Sequence, residues 1–135
     1  MTVHPTSVAR FKAKVREITS RTRGVSARQM MTELAVYMRG WGGYYAPLLS
    51  SEPQLRTLDS WCRRRVRQYL WVQWKTPANR CRRLIRGGVD PKRARQACFT
   101  KGNWAAARYQ EVSACLSNAR LATAGFVSLA ALWAR

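Results

Sequence analysis

The sequence predicts an all-α protein, with three main helices followed by short ones. Three observations lead there. Apolar residues recur at i, i+3 and i+4 through long windows. Residues that start and stop helices punctuate those windows. No period-two run of β-branched residues occurs, and no Asn-Gly hairpin signal, so strands are not expected. At 135 residues and 47% hydrophobic, the chain suffices for one domain with a core and a helical appendage.

The first helix is expected from about Thr6, with Val8, Phe11, Val15 and Ile18 on one face and Arg10 and Lys14 elsewhere. Gly24 is its expected stop, which makes Arg21, Thr22, Arg23 and Gly24 an exposed basic turn. Ser26 followed by Gln29 reads as a capping box opening the second helix. Its apolar face is Met30, Leu34, Tyr37, Met38, Trp41 and Tyr45. Gly40, Gly42 and Gly43 interrupt it at about 1 kcal/mol each relative to Ala, and close packing of another segment accounts for them best. Pro47 then ends the helix.

The third helix starts at a Ser51 cap, with Pro53 in its first turn and Gln54 completing a second capping box, and runs to Lys75. Leu55, Leu58, Cys62, Val66, Tyr69 and Leu70 form its buried stripe, while Arg56, Arg63, Arg64, Arg65 and Arg67 are expected to point away. Thr76-Pro77 and Asp90-Pro91 are two further helix starts, separated by a Gly87-Gly88 break. After Asn103 the chain turns rich in Ala, Leu and Val, and is expected to form two short helices broken near Ser117-Asn118 and at Gly125.

Charge carries the functional argument. Lys and Arg number 25 against 6 Asp and Glu, a net charge of +19 and a pI near 11.4. Such an imbalance points to a polyanionic partner, either nucleic acid or an anionic membrane surface. From Arg56 to Arg95 there are 13 basic residues and only Asp59 and Asp90 as acids. The one carboxylate at i±3 or i±4 of Arg63, Arg64 and Arg65 is Asp59, four residues before Arg63, so that helix face is expected to stay largely un-neutralised. Guanidinium groups on a packed scaffold bind phosphates. Trp71, Trp74, Trp104 and Tyr44 are candidates for stacking on unpaired bases, whereas Trp41, Trp61 and Tyr69 are expected in the core.

Other chemistry is not encoded. The six acids are scattered along the chain, and His4 stands alone near the N-terminus, so neither a two-metal site nor a histidine-activated nucleophile is expected. Gly40 to Gly43 lacks the strand and the Lys-Ser/Thr ending of a phosphate loop. Cys62, Cys81, Cys98 and Cys115 include no Cys-x-x-Cys pair, which argues against zinc and for packed, reduced thiols. No catalytic residue, metal or cofactor is therefore expected. No run of about 20 apolar residues marks a membrane span, and the N-terminus lacks a signal-peptide pattern. The expected setting is reduced and intracellular, not secreted.

Three stretches in order resemble a known family: Ser7 to Gly24, Ala27 to Tyr45 and Leu58 to Lys75. They look like the maturase-specific domain, or domain X, of group II intron-encoded reverse transcriptases. The diagnostic pieces are Arg39-Gly40-Trp41 with Tyr44-Tyr45, then Leu58-Asp59 and Trp61 to Arg65. Lys101-Gly102-x-Trp104, Leu116 to Ala119 and Gly125 to Leu129 are similar to the C-terminal region of many bacterial members. Two departures stand out: Ala35-Val36 occupy the place of the family's Asn-Pro, and Ala105 to Ala107 follow the Lys-Gly-x-Trp motif.

The resemblance implies a thumb-like helical bundle over residues 1–76, then a basic helical region and apolar tail over 77–135. It implies a domain that binds and stabilises folded intron RNA and promotes its splicing, the RNA supplying the catalysis. The residues it would place on RNA are Arg21, Arg23, Arg39, Arg63, Arg64, Arg65, Arg67, Trp74, Lys75, Arg80, Arg82, Arg83 and Arg86. In the family the following segment contributes to DNA target binding. The polymerase fingers and palm, with their Tyr-x-Asp-Asp site, do not occur in these 135 residues. An excised domain, an intron remnant and a free-standing module all remain open. A rival role is a non-catalytic thumb docking on a separate palm and fingers subunit, which predicts an exposed apolar patch on the first or second helix.

Overall fold

The computed structural model describes residues 5–20, 22–45, 52–99 and 110–133, and all eight helices among them are accompanied by no strand. The all-α expectation is met. The helices are α1 (Pro5–Ile18), α2 (Ala27–Tyr45), α3 (Glu52–Gln73), α4 (Pro77–Arg86), α5 (Pro91–Ala97), α6 (Gln110–Cys115), α7 (Asn118–Thr123) and α8 (Leu129–Trp133). Two compact units share them: residues 1–62 with 122–135, and residues 63–121.

In the first unit, the α1 face buries Phe11, Val15 and Ile18 against Met30, Leu34, Met38 and Trp41 of α2. Phe11 lies 4.6 Å from Trp41 and 5.8 Å from Tyr37, ring centroid to centroid, so aromatics close the α1–α2 seam. Trp41 is in the core as expected, and its aromatic partners are Phe11 on α1 and Tyr45 on α2. The end of α1 also differs from expectation. It stops at Ile18, not at Gly24, and Val15 O there accepts both the Thr19 N–H at 2.9 Å and the Thr19 hydroxyl at 2.6 Å. Gly24, at φ +71, serves the following loop. Ser26 does cap α2, accepting the Gln29 N–H at 3.1 Å.

The three glycines of α2 have different explanations. A Cβ on Gly42 would come 2.6 Å from Leu132 Cδ1 and 3.0 Å from Leu129 Cδ2, so α8 occupies that space. Gly40 and Gly43 have nothing within 4 Å of such a Cβ, so close packing accounts for Gly42 alone. The Pro47 stop and the Ser51 cap lie outside the described residues.

On α3, Leu55, Leu58 and Cys62 are buried in the first unit. Asp59 beside them is 1% exposed, and it holds the start of α8. Its Oδ1 accepts the Leu129 N–H at 2.8 Å, and its Oδ2 accepts the Ala130 N–H at 3.1 Å and the Ser128 hydroxyl at 2.7 Å. Ser128 Oγ in turn accepts the Ala131 N–H at 3.2 Å. The first three N–H groups of α8 thus all find side-chain acceptors.

The second unit is built on Trp71 and Trp74, whose rings sit 5.9 Å apart, with Leu84, Val89, Ala94, Ala97, Val112 and Cys115 around them. Thr76 caps α4 through the Asn79 N–H, and Asp90 caps α5 through the Lys92 and Arg93 N–H groups, each followed by proline. A Cβ on Gly87 would lie 3.1 Å from the Cys115 Cα, so α4 ends where α6 crosses close. The chain after residue 109 forms three short helices instead of two, broken near the two expected places.

Candidate nucleic-acid interface

Helices α4 and α5 carry the most exposed charge. On α4 only Leu84 is buried, which leaves Arg82, Arg83 and Arg86 exposed around it. On α5 the small residues Ala94 and Ala97 face the core, and Lys92, Arg93 and Arg95 face out. The tight inner face follows from the alanines, which let α5 lie close while longer residues remain outside. Residues 63–121 hold 15 of the 25 basic residues and only Asp90 and Glu111 as acids. Among the described residues, neither Arg82, Arg86, Lys92 nor Arg95 meets a carboxylate, whereas Lys14 pairs with Glu17 and Arg23 with Glu33 in the first unit.

The arginines of α3 are less exposed than their spacing predicted. Arg63, Arg64 and Arg65 are half-buried, and each interacts within the chain. Arg67 is a correction: it is 9% exposed, with Nε donating to Leu116 O at 2.8 Å and Nη2 to Asn118 Oδ1 at 2.9 Å. Burial first, then the neighbouring Arg63 charge, push its pKa below the ordinary arginine value. Arg67 ties the α6–α7 junction to α3 and is turned inward.

The described aromatic candidates of this unit, Trp71 and Trp74, are core residues. Trp71 is fully buried and Trp74 nearly so, against the expectation of stacking. Arg80 covers the first, its guanidinium 4.8 Å from the Trp71 ring centroid and its Nε donating to Trp71 O at 3.0 Å. Burial lowers its pKa as well. Arg83 is exposed, but its guanidinium reaches within 5.9 Å of the Trp74 ring. Lys75 is exposed just past α3, at φ +60. Trp104 and the Lys101-Gly102 motif lie outside the described residues.

In the first unit, Arg39 is exposed on α2, and Tyr44 is 69% exposed five residues on. Arg21 lies outside the described residues. The basic turn expected around it is internally engaged at Arg23, which donates to Ile18 O at 2.8 Å and pairs with Glu33 at 2.6 Å. That guanidinium caps α1 and joins it to α2.

Two groups of basic residues were not singled out from sequence. Trp61, assigned to the core, is half-buried, with Lys12 Nζ 5.5 Å and Arg16 Cζ 5.3 Å from its ring. This cluster depends on how α1 meets α3, which periodicity cannot specify. Lys92, Arg93 and Arg95 were visible as charge, and the alternation of Ala94 and Ala97 between them was the signal that they face outward.

What the second unit can do chemically is hold phosphates. Exposed arginine and lysine on short, capped helices give several charged donors at fixed spacing. Among the described residues no three His, Cys, Asp or Glu side chains gather as a metal site. No described helix is long and apolar enough to cross a membrane. The four cysteines are free thiols.

No curated protein matches the chain. A family model does: residues 8–87 match the group II intron maturase-specific domain. The match takes in α1 to α4 and so covers more than half of the chain. From helix content, basic character and this match together, the chain belongs to the family of the group II intron maturase-specific domain.

Proposed function

We propose that this domain binds folded group II intron RNA and promotes its splicing by neutralising phosphates where RNA helices meet. The observation that carries the reading is the set of exposed arginines and lysines on α4 and α5 with no described carboxylate to answer them. The family match supports intron RNA as the polyanion. In this mechanism the RNA does the chemistry, and the protein lowers the repulsion that opposes its compact form. Neutralising about six phosphates would weaken binding roughly 10³-fold between 50 and 200 mM salt, taking the duplex rule as a proxy.

The test is splicing of an in vitro transcribed group II intron at low magnesium, with wild type and with Arg82, Arg86 and Lys92 all changed to Ala. The reading expects wild type to restore splicing and the triple variant to lose most of that effect. Equal stimulation by both proteins would refute the placement of the interface on α4 and α5. A second reading, docking on a separate polymerase palm, is favoured by Val36 and Tyr44, both largely exposed on α2. It expects Val36→Asp to abolish co-purification with palm and fingers while RNA affinity stays unchanged.

A further inference from the structure

Phe99 stands apart from the other two phenylalanines. Phe11 and Phe126 are buried, whereas Phe99 is 69% exposed immediately after the buried Cys98. The α5 register explains its direction. Ala94, Ala97 and Cys98 take the inner side of the turn, so at 100° per residue Lys92, Arg95, Gln96 and Phe99 share the opposite side. All four are exposed. The Asp90 carboxylate is occupied by the Lys92 and Arg93 N–H groups at the helix start, and Arg93 borders a different concavity with Glu111. On this face Arg95 and Gln96 precede the aromatic ring by one turn and Lys92 by two, without a carboxylate among them.

Resting on the RNA-binding reading above, we propose that this face of α5 recognises an unpaired nucleotide. Phe99 stacks on the extruded base, Arg95 holds the phosphate beside it, Lys92 holds the backbone one turn further on, and Gln96 offers a donor and an acceptor to the base edge. A ring exposed on a basic face can stack only on a base that has left its own stack, since paired bases in an A-form helix present edges and backbone. The same cations would attract an anionic bilayer, but one ring among polar neighbours offers little apolar area to insert.

The experiment compares a hairpin RNA carrying one bulged 2-aminopurine with the same hairpin fully paired, using the full chain. Wild type is expected to bind the bulged hairpin about tenfold more tightly and to quench the 2-aminopurine fluorescence. Phe99→Ala should lose the preference and the quench while binding the paired hairpin as before, and Phe99→Trp should keep both. Phe99→Leu, with apolar bulk but no ring, should behave like the alanine variant. Preference and quench retained in Phe99→Ala would overturn the proposal and leave the RNA reading standing. Failure of wild type to bind either hairpin at 50 mM salt would overturn both. Phe99-dependent binding to phosphatidylserine vesicles that excess RNA does not displace would assign the face to membranes instead.

Discussion

The Asp59 carboxylate accepts the Leu129 N–H at 2.8 Å across 70 residues of sequence, and this bond makes the C-terminal helix part of the first unit. It also explains why two stretches that resemble the family, Leu58-Asp59 and Gly125 to Leu129, occur together in one chain. One supplies the acceptor, and the other supplies the helix start it holds. A buried carboxylate with three donors is stable there only while all of them remain.

Asp59→Ala should therefore destabilise the protein by about 2–4 kcal/mol, since it strands buried N–H groups as well as losing charged hydrogen bonds. Ser128→Ala removes a cap and should cost about 1 kcal/mol. Urea denaturation followed by far-UV circular dichroism measures both. Near-equal losses in the two variants would mean that the carboxylate is not the principal anchor.

Glycine substitutions should separate by position. Gly40→Ala faces open space within α2 and should stabilise by about 0.5–1 kcal/mol. Gly87→Ala meets the Cys115 backbone and should destabilise by about 1–3 kcal/mol. Gly42→Ala falls between, because the leucine tips it meets can shift. Thermal melts of the three variants rank them, and a destabilised Gly40→Ala would show that something covers that face in solution.

Arginines of the second unit should divide into structural and RNA-facing classes. Arg67→Ala leaves the carbonyl of Leu116 and the amide of Asn118 without their donor, and should cost about 2–3 kcal/mol of stability. Arg82→Ala and Arg86→Ala should change stability by less than about 0.5 kcal/mol while weakening RNA binding. Melting and binding curves on the same preparations decide it. The assignment fails if Arg67→Ala melts like wild type.

Thiol reactivity should follow burial. The Cys98 and Cys115 thiols are buried, and burial pushes both pKa values up, so they stay protonated where an exposed thiol ionises. The folded pKa lies above the unfolded one, so this contribution to stability is whole below the unfolded thiol pKa and is lost as pH rises through the folded pKa. Maleimide labelling at pH 8 should therefore reach the half-buried Cys81 well before Cys115, as read by peptide mass spectrometry.

The sequence exposed most of the helical frame because its signals are local. Thr76-Pro77 and Asp90-Pro91 are caps that depend only on neighbouring residues, and both cap as read. The α3 stripe from Leu55 to Tyr69 follows from helical periodicity alone. What periodicity hides is any second side that a helix buries. Arg67 lies next to Val66 on the α3 surface, and a segment 49 residues later turns that position into an inner one. Trp71 and Trp74 are buried for the same reason, by α4, α5 and α6 elements that return from later in the chain. The glycines of α2 show the limit most plainly: one composition signal covered a position pressed by α8 and two that nothing presses.

The central claim is that α4 and α5 meet RNA phosphates directly, and the salt dependence of RNA affinity tests it most directly. Dissociation constants for a group II intron transcript, measured from 50 to 200 mM salt, give a slope that counts the phosphates neutralised. Changing Arg82, Arg86 and Lys92 together to Ala should flatten that slope by about 2–3, roughly one per lost contact. A variant with the wild-type slope and affinity would contradict the account.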